Sequence, residues 1–458
     1  MRGFFIRLFG ITGLALRASL RTRTVGAVIV LLMACILILP CVLKGDGTPA
    51  GDLQVLFTYT LGFAFGLLAL ASLWTACSLF AAEIDSTRIQ LTVVKPVRMA
   101  ELWFGKWLAL LILNGLALLL VYLGVYAQIQ WRIHRDRWDK SDYPSSRYVS
   151  RPVLPTPAEE AKAVYAEMAE AGKLPTNLTK RAILRVLEEK ASERYSILNP
   201  GEDVTWTFNL EHPLTLGEPL TVRVRFDTEY STRTHVQGTF RLVCEELPET
   251  AIDIPVSDFS QNEIEFAVDS NDFIPANAPP PQSPPRDLRR FRLIFANQSH
   301  SRESSAIMIR FRQDVALLTP GGPFEVNRVR SAFIHWSVLG LFSALGLTLS
   351  ACLSFPVAAF TATLLLLLCM LGNSVVSVIA EEDKADWKNK PGIWVSQAIH
   401  YATVHAFRES PLTAVTRNER IDTRRMLSAA SWDLVFMPLY LAALGCVVLA
   451  RRELADAD

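Results

Sequence analysis

The chain lacks the short motifs of self-contained chemistry. G-x-x-x-x-G-K-[ST], G-x-S-x-G and H-E-x-x-H are all absent. Gly105-Lys106 is followed by Trp107, so it has no metal-binding hydroxyl and is not a phosphate loop. No ATP hydrolysis is expected of this chain alone, and no catalytic residue, metal or cofactor of its own. The 7 cysteines form no C-x-x-C. Six (Cys35, Cys41, Cys77, Cys352, Cys369, Cys446) fall in apolar runs, and Cys244 stands alone in the polar middle, which must therefore hold itself together by packing. The 7 histidines are scattered. His400 and His405 would lie about 140° apart on a helix, which suits surface or core polar residues better than shared metal ligands. No basic stripe with interleaved aromatics occurs and the net charge is only +1, so nucleic acid is set aside as a partner. Residues 1–24 contain no acid, and Ser331 to Ala380 contain no Asp, Glu, Lys or Arg.

Half of the 458 residues are hydrophobic, and they are concentrated at the two ends. Arg2, Arg7, Arg17, Arg21 and Arg23 alternate with Phe4, Phe5, Leu8 and Phe9, as on a helix lying in a membrane interface. Uncharged runs follow at 24–43, 53–82 and 107–131, each near or above the roughly 20 residues that cross a bilayer. A cleaved lipoprotein signal ending at Cys35 is the competing reading. The apolar run continues past that cysteine through Ile36 to Leu39, which speaks against cleavage. The basic N-terminus then marks the cytoplasmic side.

Residues 132–330 have no run long enough to span and fall on the opposite, extracytoplasmic side. Thr156-Pro157-Ala158-Glu159 is a capping box with proline at the first helical position, opening a helix to about Gly172. A second helix is expected over 179–195, with Leu184, Leu187, Ala191 and Tyr195 on one face. The period then changes to two: Val204, Trp206, Phe208 and Leu210; Leu220 to Phe226; Ile264, Phe266 and Val268; Ile307, Ile309 and Phe311. Phe240-Leu242 and Phe291 to Phe295 are weaker cases. Short half-buried strands of this kind imply an α+β domain dominated by a β-sandwich or jelly roll. Trp206 and Tyr230 are candidates for stacking on a sugar. Trp206 is in phase with its apolar neighbours, so core packing explains it better.

The third part, 331–458, returns to the membrane. Fifty uncharged residues suit two spans joined at Ser354-Phe355-Pro356. A last span is expected over Leu434–Ala450, with loop 381–433 outside. That loop carries eight bases and eight acids. Taken alone, the positive-inside rule puts it inside and leaves five spans; the acid-free N-terminus favours six. No span so drawn contains an acid, which argues against an intramembrane enzyme.

The stretch 83–107, trapped between the second and third spans, is short and highly charged. Glu83 ends one span; Thr87 and Leu91 follow at a spacing of four; Lys95-Pro96-Val97-Arg98 makes a turn, since proline disfavours helix before it; Gly105-Lys106 opens the next span. Glu83, Thr87, Arg88, Leu91, Lys95, Pro96, Arg98, Gly105 and Lys106 in this order resemble the intracellular loop of ABC-2-type transporter permeases. Gly322-Pro323-Phe324 to Asn327 and Leu353 to Ala358 resemble the same family. The resemblance implies a six-span plasma-membrane permease subunit that dimerises. Its loop 83–107 would form a coupling helix on a separate cytoplasmic ATPase subunit, which binds the ATP and magnesium. It covers less than two thirds of the chain and omits the polar middle. The reading from another class is a membrane-anchored binding or scaffold protein that transports nothing.

Overall fold

The structure is a computed structural model. It describes residues 2–43, 49–85, 98–136, 145–172, 180–192, 195–228, 234–274, 287–299, 306–310, 314–367 and 411–451. The chain divides into two compact units, Met1–Pro144 with Pro323–Asp458, and Ser145–Gly322.

The first unit is helical. In chain order it contains α1 (Arg2–Leu20), α2 (Arg23–Val42) and α3 (Pro49–Val55). A π-helical turn, Leu56–Leu61, leads into α4 (Gly62–Asp85), and α5 (Met99–Asp136) follows. After the second unit come α8 (Phe324–Cys352), α9 (Phe355–Leu367), α10 (Pro411–Thr416) and α11 (Thr423–Ala430); a second π-helical turn, Ser431–Phe436, joins α11 to α12 (Met437–Arg451). Among the described residues, six helices are long and apolar enough to cross a membrane: Gly3–Leu20, Arg23–Val42, Gly51–Ala81, Met99–Arg135, Phe324–Cys352 and Thr423–Ala450. This is compatible with a multi-pass membrane protein. Leu37, Phe63, Leu116, Leu123 and Tyr440 are all exposed on these helices, as lipid-facing side chains would be.

The six are not the set drawn from sequence. Gly3–Leu20 was expected to lie in the interface, yet it meets the same length and composition test as the others. The chain breaks at Leu353-Ser354 as expected and resumes as α9, whose continuation falls outside the described residues. The last helix begins at Thr423, eleven residues before the expected Leu434, because the π-turn carries it on without a break.

Small residues let the helices of this unit approach closely. A Cβ on Gly346 of α8 would lie 2.6 Å from the Ala76 side chain of α4, and one on Gly340 would lie 2.6 Å from Leu434. Asn327, buried near the start of α8, clamps the segment before α11. Its amide donates to Glu419 O (2.7 Å) and accepts from the Ile421 N–H (2.7 Å).

The second unit is β-rich. The Thr156 capping box is present and opens α6 (Pro157–Glu170); α7 (Lys180–Ser192) follows. Tyr195 is not on that helix but begins a strand. The strands are β1 (Ser145–Ser150), β2 (Tyr195–Leu198), β3 (Asp203–Leu214), β4 (Pro219–Arg225), β5 (Asp227–Thr228), β6 (His235–Cys244), β7 (Leu247–Phe259), β8 (Glu263–Asp269), β9 (Leu288–Asn297), β10 (Ile307–Arg310) and β11 (Val315–Pro323). They form three sheets, ordered β1-β11-β4-β8, β3-β9-β6-β7 and β2-β10-β5. Alternation builds them: Val204, Trp206, Phe208 and Leu210 are buried while their neighbours are exposed. One apolar cluster draws on all three sheets, and Phe240 of β6 lies 5.3 Å from Phe266 of β8, ring to ring. Trp206 belongs to this core and is 1% exposed, so it offers no sugar a platform. Tyr230 lies outside the described residues.

Candidate functional site

The end of α4 and the start of α5 are fastened to each other by charge. Lys106 is 1% exposed, and an ammonium so deeply buried needs partners. Its Nζ donates to Glu83 Oε2 at 2.6 Å and to the Leu79 carbonyl at 2.9 Å, and it sits 3.9 Å from the centre of the Phe80 ring. All three partners belong to the last turns of α4. Glu83 and Lys106 therefore close the mouth of the intervening segment 86–97, which itself lies outside the described residues.

A second pair ties in the N-terminal helix. Arg7 of α1 forks onto Glu101 of α5, Nε to Oε2 at 3.0 Å and Nη2 to Oε1 at 2.8 Å. Glu101 also accepts from the Arg98 N–H at 3.3 Å, one half of the reciprocal cap that fixes a helix start. Gly105 makes the crossing possible, because a Cβ there would lie 2.7 Å from Ile11 Cγ2 of α1. In Gly105-Lys106 the glycine admits α1 and the lysine reaches Glu83. Of the residues singled out in sequence, the structure thus brings together Glu83, Gly105 and Lys106, with Arg98 beside Glu101. Thr87, Arg88, Leu91, Lys95 and Pro96 lie outside the described residues. Arg7 and Glu101 were not selected from sequence, since 94 positions separate them.

Polar side chains continue through the interior of the helical unit. Asn114 Nδ2 donates to Ser72 Oγ (2.8 Å) and Ser343 Oγ (3.0 Å), joining α5, α4 and α8. Further along α5, the Tyr122 hydroxyl lies 2.8 Å from His335 Nδ1 and 3.0 Å from Ser331 Oγ. At the end of α5 remote from Lys106, Arg132 pairs with Asp52 at 3.1 Å. These contacts hold α5 to its neighbours along its length.

One expectation is overturned here. The spans drawn from sequence contained no acid, but Asp433 lies inside the apolar helix Thr423–Ala450. It is 0% exposed, sits in the π-turn Ser431–Phe436, and neither carboxylate oxygen has a hydrogen-bond partner among the described residues. The sequence gives one signal for it: an acid flanked by Trp432 and a long apolar run, at the position where the span was drawn to begin.

No protein-family model, curated protein or solved structure matches this chain. Among the described residues no group of three or more His, Cys, Asp or Glu could hold a metal ion.

Proposed function

We propose that this chain is the transmembrane subunit of an ATP-driven transporter of the ABC-2 type, working with a separate ATPase subunit and a second permease copy. The observation that carries this reading is the clasp of Glu83 and Lys106. A segment docked on an ATPase must pass its displacement to the spans, and a loop on loose ends would absorb it instead. Here the helices entering and leaving 86–97 are pinned by an ion pair whose lysine is buried, and the Arg7–Glu101 fork extends the rigid unit to α1. Closure of the ATPase on nucleotide would move α1, α4 and α5 together. In this reading 86–97 faces the cytoplasm, residues 145–322 face the other side of a plasma membrane, and the order of Glu83, Arg98 and Gly105-Lys106 matches the permease loop they resemble.

The self-contained core of residues 145–322 favours the second reading, a membrane-anchored scaffold that displays this unit. The two are separated by purifying the tagged full chain from its native membranes and assaying ATP hydrolysis. The permease reading expects a co-purifying ATPase whose activity is lost when the complex is stripped to this chain. Absence of any ATPase in a mildly solubilised preparation favours the scaffold.

A further inference from the structure

Asp433 stands ten residues inside the apolar helix Thr423–Ala450, about 15 Å from its start at the helical rise per residue. The packing around it is close. Leu434 beside it meets α8 and α5 together, since a Cβ on Gly340 would lie 2.6 Å from Leu434 and 2.8 Å from Leu111. Asp433 itself is 0% exposed, and neither carboxylate oxygen has surface open to water.

The local sequence also strips this place of donors. The Met437 N–H bonds to the Trp432 carbonyl, five residues back, which makes the turn π-helical. Pro438 follows and has no N–H to give. The Asp433 carbonyl therefore loses both its α-helical donor, Met437, and its π-helical one, Pro438. With the two side-chain oxygens, that makes three acceptors on one residue that the described residues leave unmatched. The nearest titratable groups on the packed elements do not relieve them. His335 of α8 is bonded to Tyr122, and Lys106 of α5 to Glu83. On the helix of Asp433 itself the nearest are Arg425 and Tyr440, eight residues before and seven after.

An ionised carboxylate here would be uncompensated charge. A metal or ammonium ion needs room that the packing does not leave. A proton needs none, and it turns one of the three acceptors into a donor. We propose that Asp433 is a proton-binding site of the helical unit, filled when the π-turn packs on α8 and emptied when the two part. Parting admits water: the O–H bond breaks, the proton passes to a water molecule and the electron pair stays on the carboxylate. Repacking reverses the step. Acid therefore favours the packed arrangement and alkali the parted one, as any ligand favours the state that binds it. This inference needs neither an ATPase nor a transported substrate, so it can fail while the transport reading stands.

The test is infrared spectroscopy of the full chain in nanodiscs, with aspartate isotopically labelled at the side-chain carboxyl carbon. At neutral pH exposed aspartates are ionised, so a labelled carboxylic-acid band marks an exception. One such band is expected in wild type and none in Asp433→Leu. Transfer to heavy water replaces the proton by deuterium and shifts the band. That exchange should be slow in wild type, and Leu434→Ala, which loosens the contact with α8, should speed it about tenfold or more. Leu434→Val, a milder loosening, should fall between the two. Only carboxylate bands in wild type, as pairing with a base outside the described residues would produce, overturn the proposal. So does an acid band that survives in Asp433→Leu. Exchange that is complete on mixing and equal in wild type and both Leu434 variants also overturns it, because water would then reach the carboxyl without any parting of the helices.

Discussion

Lys106 is a charge in a place where charge is costly, and its partner is only partly buried: the Glu83 side chain is 34% exposed. That asymmetry makes a prediction. Glu83→Ala leaves a buried ammonium with one carbonyl, and is expected to cost about 3 kcal/mol, at the lower end for breaking a buried pair. Lys106→Met fills the same volume and lets Glu83 return to water, so it should cost about 1 kcal/mol or less. Combining Glu83→Gln with Lys106→Met should be close to wild type in thermal unfolding of the detergent-solubilised protein. A double variant no more stable than Glu83→Ala contradicts the geometry. Asp433 supports a second prediction. A buried carboxyl without a donor is a net cost, so Asp433→Leu should leave the melting temperature unchanged or raise it. A drop of several degrees would mean the carboxyl has a partner that stabilises the fold. Glu83 and Lys106 were both singled out in sequence because they flank one short loop, but that they pair with each other emerged only from the structure. The Arg7–Glu101 fork was not, because it depends on α1 crossing α5 at Gly105, a long-range contact that no local pattern encodes.

Among the elements, strands were read wherever alternation ran unbroken, as in β3, β4 and β8. The longest strand, β7, escaped notice although Ile252, Ile254 and Val256 alternate, because Pro255 interrupts it. It lies at the edge of its sheet, where proline has no outer neighbour to deprive of a hydrogen bond. β11 ends in Thr319-Pro320-Gly321-Gly322-Pro323, which reads as a turn. Close pairing with β1 accounts for Gly321, since a Cβ there would lie 2.8 Å from Ser146 O. The unit's core and ladders are its own, so residues 145–322 expressed alone should be soluble, with mixed helix and strand content by circular dichroism. Reductant should not alter its melting point: Cys244 is fully buried, and burial together with the Glu246 carboxylate pushes its thiol up to about 12. The same fragment tests an ion-pair network on β4 and β8. Burial pushes the Glu265 carboxyl up, but Arg223 and Arg147 outweigh it and hold the group below its ordinary 4.5. A depressed folded value means the stabilisation is complete above 4.5 and is lost as pH falls through the folded value. Glu265→Gln should lower the melting temperature by about 2–4 °C at neutral pH, the shift that about 1 kcal/mol gives in a domain of this size. The gap should close in acid, below the ordinary glutamate range. A gap independent of pH would show that the loss is packing and not charge.

On the scale of the whole molecule, the account rests on which side of a membrane each part occupies and on what 86–97 touches. In a cysteine-free background, Ser145→Cys should label with an impermeant thiol reagent in intact cells, and Ser86→Cys only after lysis. Labelling of both before lysis, or of neither, contradicts the topology. The measurement that tests the central claim most directly is ATP hydrolysis that co-purifies with the tagged chain, compared across variants of equal expression. Glu83→Ala, Arg98→Ala and replacement of Lys95-Pro96 by Ala-Ala are set against Glu211→Gln, on the exposed face of β3, as control. The account predicts ATPase recovery at wild-type level for the control. It predicts recovery or its coupling to fall several-fold in the clasp and loop variants, most in the Lys95-Pro96 replacement. The stability-matched Glu83→Gln, Lys106→Met pair should stay folded yet remain uncoupled. If all variants recover as much coupled ATPase as the control, the clasp is only a fastening between two helices and the transport reading is wrong.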